Sequence, residues 1–515
     1  MTSTVQSFVA GASVPGEAGT FTSLNPAQLT DVVAEVSLAS AAQLVDAFAS
    51  ARAAQPAWAD TPAPVRGRVI AQIGRLVEAN ASVLADLIVR EVGKPRAEAL
   101  GEVQEIVDTC DFFLGEGRRL YGQTVPSEMR DKQLFTFRVP VGVAGIITAG
   151  NFPVAVPSWY LVPALLCGNT VVWKPADYAA ALGDALTRIF VAGGLPAGVL
   201  NTVHANGPTT FEGLSLALEQ GLVNKVGFTG SSEVGAQIGA LCGKHLQNPC
   251  LELGGKNPLV VMADADLDLA AEGALFSGFG TAGQRCTSLG VAIVHDDVYD
   301  AFVHKFVGLV ESAVVGDPTG DVLYGPMLSE RFFTGFQKWL GEIQPHHTVH
   351  GSTGTGRITA ANPRAGFVGD PDAGVFAHPT VVTGVTKDDA LYQNETFGPL
   401  VPVMRFSSFD EAVDLANSHG YGLSSAIYTS DAKTAFRFRS RVSAGMLSVN
   451  NSTSGAEAHL PFGGNGKSGN GSRQSGVWVL DQFTRWQSMN WDYAGKLQKA
   501  QMDTEESVAD LGFRL

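Results

Sequence analysis

Between Val141 and Gly254 the chain repeats one unit: a short apolar run, a turn, and a helical stretch. VGVAGIIT is the first run, Gly150-Asn151-Phe152-Pro153 is the turn behind it, and PSWYLVPALLCGN is the apolar helix that follows. TVVWKPAD, ending in Lys174, Pro175 and Asp177, leads into the helix ALGDALTRIFVAGG. GVLNTVHA and NKVGFTGS are the next strands, followed by the helix VGAQIGALCGK and the run LELGG. Runs that are apolar throughout belong to strands covered on both faces, and strands alternating with helices build a parallel sheet. The stretch predicts an α/β fold with a doubly wound parallel sheet, which places ligand sites beyond the carboxyl ends of its strands.

A second α/β region runs from about Gly254 to Val449, with the helix DLDLAAEGALFSGFG, the strand LGVAIVHDD and the helix VYDAFVHKFVGLVESA. His346 to Ala377 is rich in Gly and Pro and reads as loop; its HHTVH cluster reads as a solvated loop rather than a metal site. Ahead of both regions lie short strands over residues 5–40, helices over Ala41–Ala57 and Ala63–Lys94, and an amphipathic helix over Gly101–Leu120. Val103, Ile106, Val107, Cys110, Phe113 and Leu114 make the apolar stripe of that last helix, and Glu102, Glu105, Asp108 and Asp111 read as its solvated face. LFTFRVPV (134–141) reads as a strand in an extended arm. The tail holds a Gly-rich loop, PFGGNGKSGNGS, and then VWVLDQFTRWQSMNWD, which reads as strand. Its tryptophans suggest pairing with another chain.

The 515 residues suffice for two or three domains, and the net charge of −15 argues against nucleic-acid or anionic-membrane partners. No run of apolar residues is long enough to cross a bilayer, and the first thirty residues lack the pattern of a signal peptide. Five scattered cysteines predict no disulfide framework and a reducing, cytoplasmic setting.

Four of those cysteines sit in apolar stretches and read as core filler. Cys286, in GTAGQRCTS (280–288), does not: its neighbours Gln284, Arg285, Thr287 and Ser288 are polar. Arg285 next to it predicts a sulfur biased toward thiolate, and so a nucleophile. Glu252 ends an apolar run in LELGGKNP, where a carboxylate could activate water. The Gly227-Phe-Thr-Gly-Ser231 turn before a helix fits either a phosphate site or an ordinary turn. GGNGKS (463–468) is not a P-loop, because Pro461 stands where the first glycine is needed.

Together these motifs resemble the aldehyde dehydrogenase superfamily over about residues 20 to 490: GNFP, WKPAD, FTGS, LELGGKNP, GQRCTS, ETFGP and PFGG stand in its order. The resemblance implies that Cys286 attacks an aldehyde, that Asn151 stabilises the oxyanion, and that Glu252 activates the water which releases the acid. It implies NAD as cofactor, with NADP possible. Lys174 and Asp177 would hold the adenosine ribose, Gly230 and Ser231 the pyrophosphate, and Glu395 with Phe397 the nicotinamide riboside. A carboxylate at 177 is expected to repel a 2′-phosphate, and Gly150, where the family commonly has a large aromatic residue, is expected to loosen the packing beside the cofactor. GEVQEIVDTCDF, GIITAGNFPVAV and TSGAE look most like the antiquitin branch, the α-aminoadipate semialdehyde dehydrogenases. That likeness implies substrate contacts from Glu105, Arg285, Gly455 and Ala456, and Trp159 near the mouth would suit a flat substrate. α-Ketoglutarate semialdehyde, or an aromatic or aliphatic aldehyde, is the rival substrate, and a non-catalytic relative of the fold is the rival class. The division expected is a cofactor domain (1–119 and 141–253), a catalytic domain (254–449), and an arm and tail (120–140 and 450–515) that pair subunits into a homodimer or homotetramer.

Overall fold

The computed structural model describes residues 3–351, 355–499, 501–504 and 506–515. Two seven-stranded sheets organise it. In the first, the spatial order is Cys250–Glu252, Lys225–Thr229, Val143–Ile147, Thr170–Lys174, Leu200–Thr202, Ser7–Val9, Ala12–Val14. Its first five strands are parallel and the two N-terminal strands close it antiparallel. From Val143–Ile147 the chain winds one way through the next two strands and then returns to the other side, so the order reverses between Val143–Ile147 and Lys225–Thr229. A crevice opens beyond the strand ends at such a reversal.

The second sheet runs Thr348–His350, Thr380–Thr383, Leu400–Phe406, Leu289–His295, Asn257–Val261, Ser424–Tyr428, Met446–Val449, parallel except for its first member. The α/β architecture with a second α/β sheet is thus as the alternation of runs predicts. The connection from Glu252 to Asn257 steps directly from the carboxyl edge of one sheet to the amino edge of the other. A separate antiparallel sheet is made of Thr484–Asp492, Lys132–Pro140 and Gln123–Val125, the segments read from the sequence as arm and tail.

Several local expectations need correction. The helical stretch 63–94 is two helices, Ala63–Ala79 and Ala81–Val92, because Asn80 leaves helical geometry (φ −109°, ψ 13°) and its amide donates to the Leu76 carbonyl. Gly93, in the left-handed region, ends the second. The helix expected from Gly101 begins at Arg96, after Pro95. VWVLDQF is helical over Val477–Val479 and Leu480–Phe483, and only the part from Thr484 is strand. The Gly/Pro-rich stretch contributes the short strands Thr348–His350 and Phe367–Val368, while residues 352–354 lie outside the described residues. Among the described residues no helix is long and apolar enough to cross a membrane.

Candidate active site

Cys286 lies at the amino edge of the second sheet, three residues before Leu289–His295. The turn that delivers it is strained: Thr281 and Ala282 both have φ 53°, followed by Gly283 at 69°. Non-glycine residues pay for that conformation, and it persists only where the surroundings hold it. Glu98 does so, accepting from the Thr281 N–H (3.2 Å) and hydroxyl (2.5 Å). Asn257, fully buried, donates its amide to the carbonyls of Cys286 (2.8 Å) and Ser288 (2.7 Å) and accepts from the Ser424 N–H (2.9 Å). Backbone carbonyls this close leave no room for side chains: a Cβ on Gly255 would stand 2.2 Å from the Cys286 oxygen.

Asn151 follows the central strand of the first sheet and is buried; its amide donates to the Gln284 carbonyl at 2.9 Å. That uses one of its two N–H groups. Both Asn151 and Cys286 line a cavity of about 580 Å³. Burial pushes the Cys286 thiol up to about 12, and the carboxylates of Glu395 and Glu252 push the same way; the backbone N–H groups of Cys286 and Thr287 pull against them. Glu252 is itself held well above the ordinary carboxylate range by burial, opposed by Arg473 and the Gly464 N–H. Neither of its oxygens meets hydrogen-bond geometry with a partner, the nearby Gly464 N–H included. A buried carboxyl group left open in this way favours its proton and is poised to exchange it.

The same cavity is lined by Thr229, Gly230, Ser231, Glu395 and Phe397. Ser231 caps the helix Ser232–Lys244, accepting from the Val234 N–H at 3.3 Å, so the free N–H groups of that helix face the crevice. Glu395 accepts the Gly255 N–H at 3.0 Å, and burial raises its carboxyl to about 7 against the pull of Lys256. Phe397 (φ 44°) packs on Phe332 with ring centroids 5.8 Å apart. Lys174 ends its strand, and Asp177 opens the turn behind it. The cavity volume lies within the usual range for a cofactor or ligand site, about 300–1,000 Å³. A helix N-terminus for a pyrophosphate and a carboxylate for a ribose on its walls suit a dinucleotide.

A second pocket, about 330 Å³, is lined by Arg285 and Thr287, the chain neighbours of Cys286, together with Glu98, Glu102, Glu105, Phe152, Gly455, Ala456 and Phe462. Glu102 and Glu105 are therefore not on a solvated face. Glu102 is ion-paired to the buried Lys94 (2.6 Å) and accepts the Val154 and Ala155 N–H groups at the helix start behind Asn151. Glu105 has no such cation: burial, reinforced by the negative charge of Glu102, raises it to about 8. The Trp159 indole N–H stands close enough to lower it somewhat without meeting hydrogen-bond geometry.

Three further expectations fail here. Arg285 does not serve the sulfur. Its side chain turns into the second pocket, bonded to Glu98 (2.7 Å) and Thr281 (3.1 Å) and stacked on Phe276, and burial raises the thiol with no offset from the guanidinium. Trp159 lines neither cavity; it lies behind Phe462, with ring centroids 4.6 Å apart. Gly150 leaves no loose packing either, because the Tyr178 ring fills the place: a Cβ there would be 2.7 Å from it, and the Tyr178 hydroxyl accepts the Gly150 N–H at 3.1 Å. The sequence reading missed Glu98, Asn257, Tyr178, Arg331 and Phe332. His346, His347 and Asp389 form the one group of metal-ligand type among the described residues, but His347 Nδ1 accepts the Gln344 N–H (3.0 Å). That leaves the proton on Nε2, which faces Asp389 at 3.2 Å, so its ligating lone pair is already in use.

Comparison with known proteins agrees with this geometry. The model of the aldehyde dehydrogenase family matches residues 13–489. The α-ketoglutarate semialdehyde dehydrogenase of Haloferax volcanii is 38% identical over 94% of this chain and 98% of its own. The α-aminoadipic semialdehyde dehydrogenase of Bos taurus is 35% identical over 91% of this chain and 85% of its own. The NAD⁺ complex of betaine aldehyde dehydrogenase from Staphylococcus aureus superposes with a TM-score of 0.90, at 26% identity, covering 96% of each chain. The chain belongs to the aldehyde dehydrogenase family.

Proposed function

We propose that this NAD(P)-dependent enzyme oxidises a short semialdehyde that carries a carboxylate, with α-aminoadipate semialdehyde as the first reading. One observation carries it: Cys286 faces the dinucleotide-sized cavity, while the residues on either side of it line a separate pocket that ends in Arg285 and Glu105. An aldehyde carbon at the sulfur would then present its far end to that pair. A carboxylate suits a guanidinium and an ammonium suits a carboxylate.

The residues divide the chemistry as follows. The Cys286 thiol passes its proton to solvent water in the cavity, and its sulfur bonds to the aldehyde carbon. The free N–H of Asn151 and the Cys286 backbone N–H hold the oxyanion. Glu395, Phe397, Gly230, Ser231, Lys174 and Asp177 would hold the dinucleotide, which would supply the hydride acceptor that turns the cysteine adduct into a thioester. Glu252, once its own proton has passed to solvent, takes a proton from water as the water oxygen attacks the thioester, and returns it to the leaving sulfur, freeing the acid and the thiol. We divide the chain accordingly into a cofactor domain (1–119 and 141–253), a catalytic domain (254–449), and an arm with tail (120–140 and 450–515). Trp486, Met489 and Trp491, each more than 40% exposed on the arm, support pairing into a homodimer or homotetramer. Five free thiols support a reducing compartment, the cytoplasm.

A second reading, α-ketoglutarate semialdehyde, has its own support: Glu105, raised to about 8, holds a proton at neutral pH and would donate it to a keto or carboxylate oxygen. The ratio of kcat/KM for the amino acid over the keto acid, followed with pH, separates the two. An ammonium needs Glu105 ionised, so the ratio rises through pH 8 and levels above it. Dominance of the keto acid at every pH would hand the site to the second reading, and no preference for either over simple aliphatic aldehydes would sink both.

A further inference from the structure

The lining of the larger cavity carries two charged side chains, Glu395 and Arg331. Arg331 has no part in the chemistry above. It opens the helix Glu330–Leu340, and its guanidinium lies across Tyr178 and Phe332, 5.6 and 5.2 Å from their ring centres. Its side chain is 67% exposed, and Nη2 stands 3.9 Å from an oxygen of Asp177. That contact is too long to occupy the guanidinium donors. Asp177 also accepts the Tyr178 N–H at 3.1 Å, which fixes the carboxylate beside the aromatic platform. Lys174 belongs to the same field: burial disfavours its charge, Asp177 supports it and Arg331 opposes it. Two cations thus flank one carboxylate at the place where the adenosine ribose is read to sit.

A ribose diol needs only the carboxylate. A second cation there, planar, held between aromatic rings and with donors to spare, has the form that recognises a phosphate. We propose that Arg331 receives the 2′-phosphate of NADP, so that the chain accepts both nicotinamide dinucleotides. Asp177 remains for the 2′-hydroxyl of NAD, and its repulsion of a phosphate is offset by the guanidinium beside it. The inference rests on the dinucleotide reading of this cavity.

Calorimetric titration of the purified protein with 2′,5′-ADP and with 5′-AMP tests the site without turnover. The wild type is expected to bind 2′,5′-ADP at least about tenfold tighter, the worth of one charge-assisted pair. Arg331→Ala removes that preference and Arg331→Lys keeps part of it, and the ratio of NADP to NAD affinities moves in parallel. An unchanged ratio in Arg331→Ala overturns the proposal, as does an equal loss of both nucleotides, which would place Arg331 on the 5′-phosphate. Wild-type NADH formation with an aldehyde, run alongside, keeps this apart from the reading beneath: if neither nucleotide binds and no NADH forms, the cavity itself has been misassigned.

Discussion

Cys286 and Glu252 are both held in their uncharged forms by burial, and the charges of Glu395 and Glu252 would raise the thiol further. At rest the site therefore stores two protons and no charge, and chemistry has to begin by moving one. A nucleophile raised to about 12 is a weak one until the site is charged by its ligands. This predicts a kcat that climbs with pH across the neutral range rather than the flat profile of a preformed thiolate, measured in steady state. Cys286→Ala is predicted to lower kcat by at least about 10³-fold with no loss of the folding transition, since the side chain faces the cavity and makes no structural bond. Glu252→Gln is predicted to slow release of the acid by about 10²–10⁴-fold, the range for a general base. It would leave a burst of NADH in stopped flow, and loss of the burst together with the slow phase would remove Glu252 from the water step.

At the scale of elements, the site is where one sheet hands the chain to the other. Asn257 starts a strand of the second sheet and ties the Cys286 loop to it by two carbonyls and to Ser424 by a third bond. Asn257→Ala leaves three buried groups unpaired, and at about 1 kcal/mol for each bond should cost about 3 kcal/mol of stability. Denaturant unfolding would read that loss, and an unchanged midpoint would mean that the loop stands without it. Glu252 stood out from the residues themselves, as a polar residue after an apolar run, whereas Asn151 and Ser231 fitted ordinary turns until the family resemblance gave them roles. The direction of Arg285 was not legible, since adjacent side chains diverge and its partner Glu98 lies 187 positions away. Glu102 and Glu105 were assigned to solvent because one apolar stripe was taken to mean one buried face. The helix buries two, one against the core and one against the second pocket. Arg331 and Phe332 are neighbours on one helix, but Tyr178 comes from the distant turn after Lys174, and no local spacing foretells that they meet.

At the scale of the whole molecule, the two sheets, the crevice and the arm follow from the alternation of apolar runs and helices, and the relatives share them over nearly their full length. The arm exposes apolar side chains on both faces, Trp486 on one and Met489 with Trp491 on the other, as alternation along a strand requires. Replacing Met489 and Trp491 with lysine is predicted to lower the sedimenting mass to that of one chain, and an unchanged mass would place the contact elsewhere. The central claim is that a sulfur, an amide and a carboxyl, drawn from both sheets, act on one carbonyl. Its most direct test is the intact mass of the Glu252→Gln protein mixed with dinucleotide and an aldehyde that the wild type oxidises. The account predicts one acyl group per chain, mapped to Cys286 by peptide digestion and formed with one equivalent of NADH; an unmodified Cys286 after NADH has formed, or an acyl group on another residue, would contradict it.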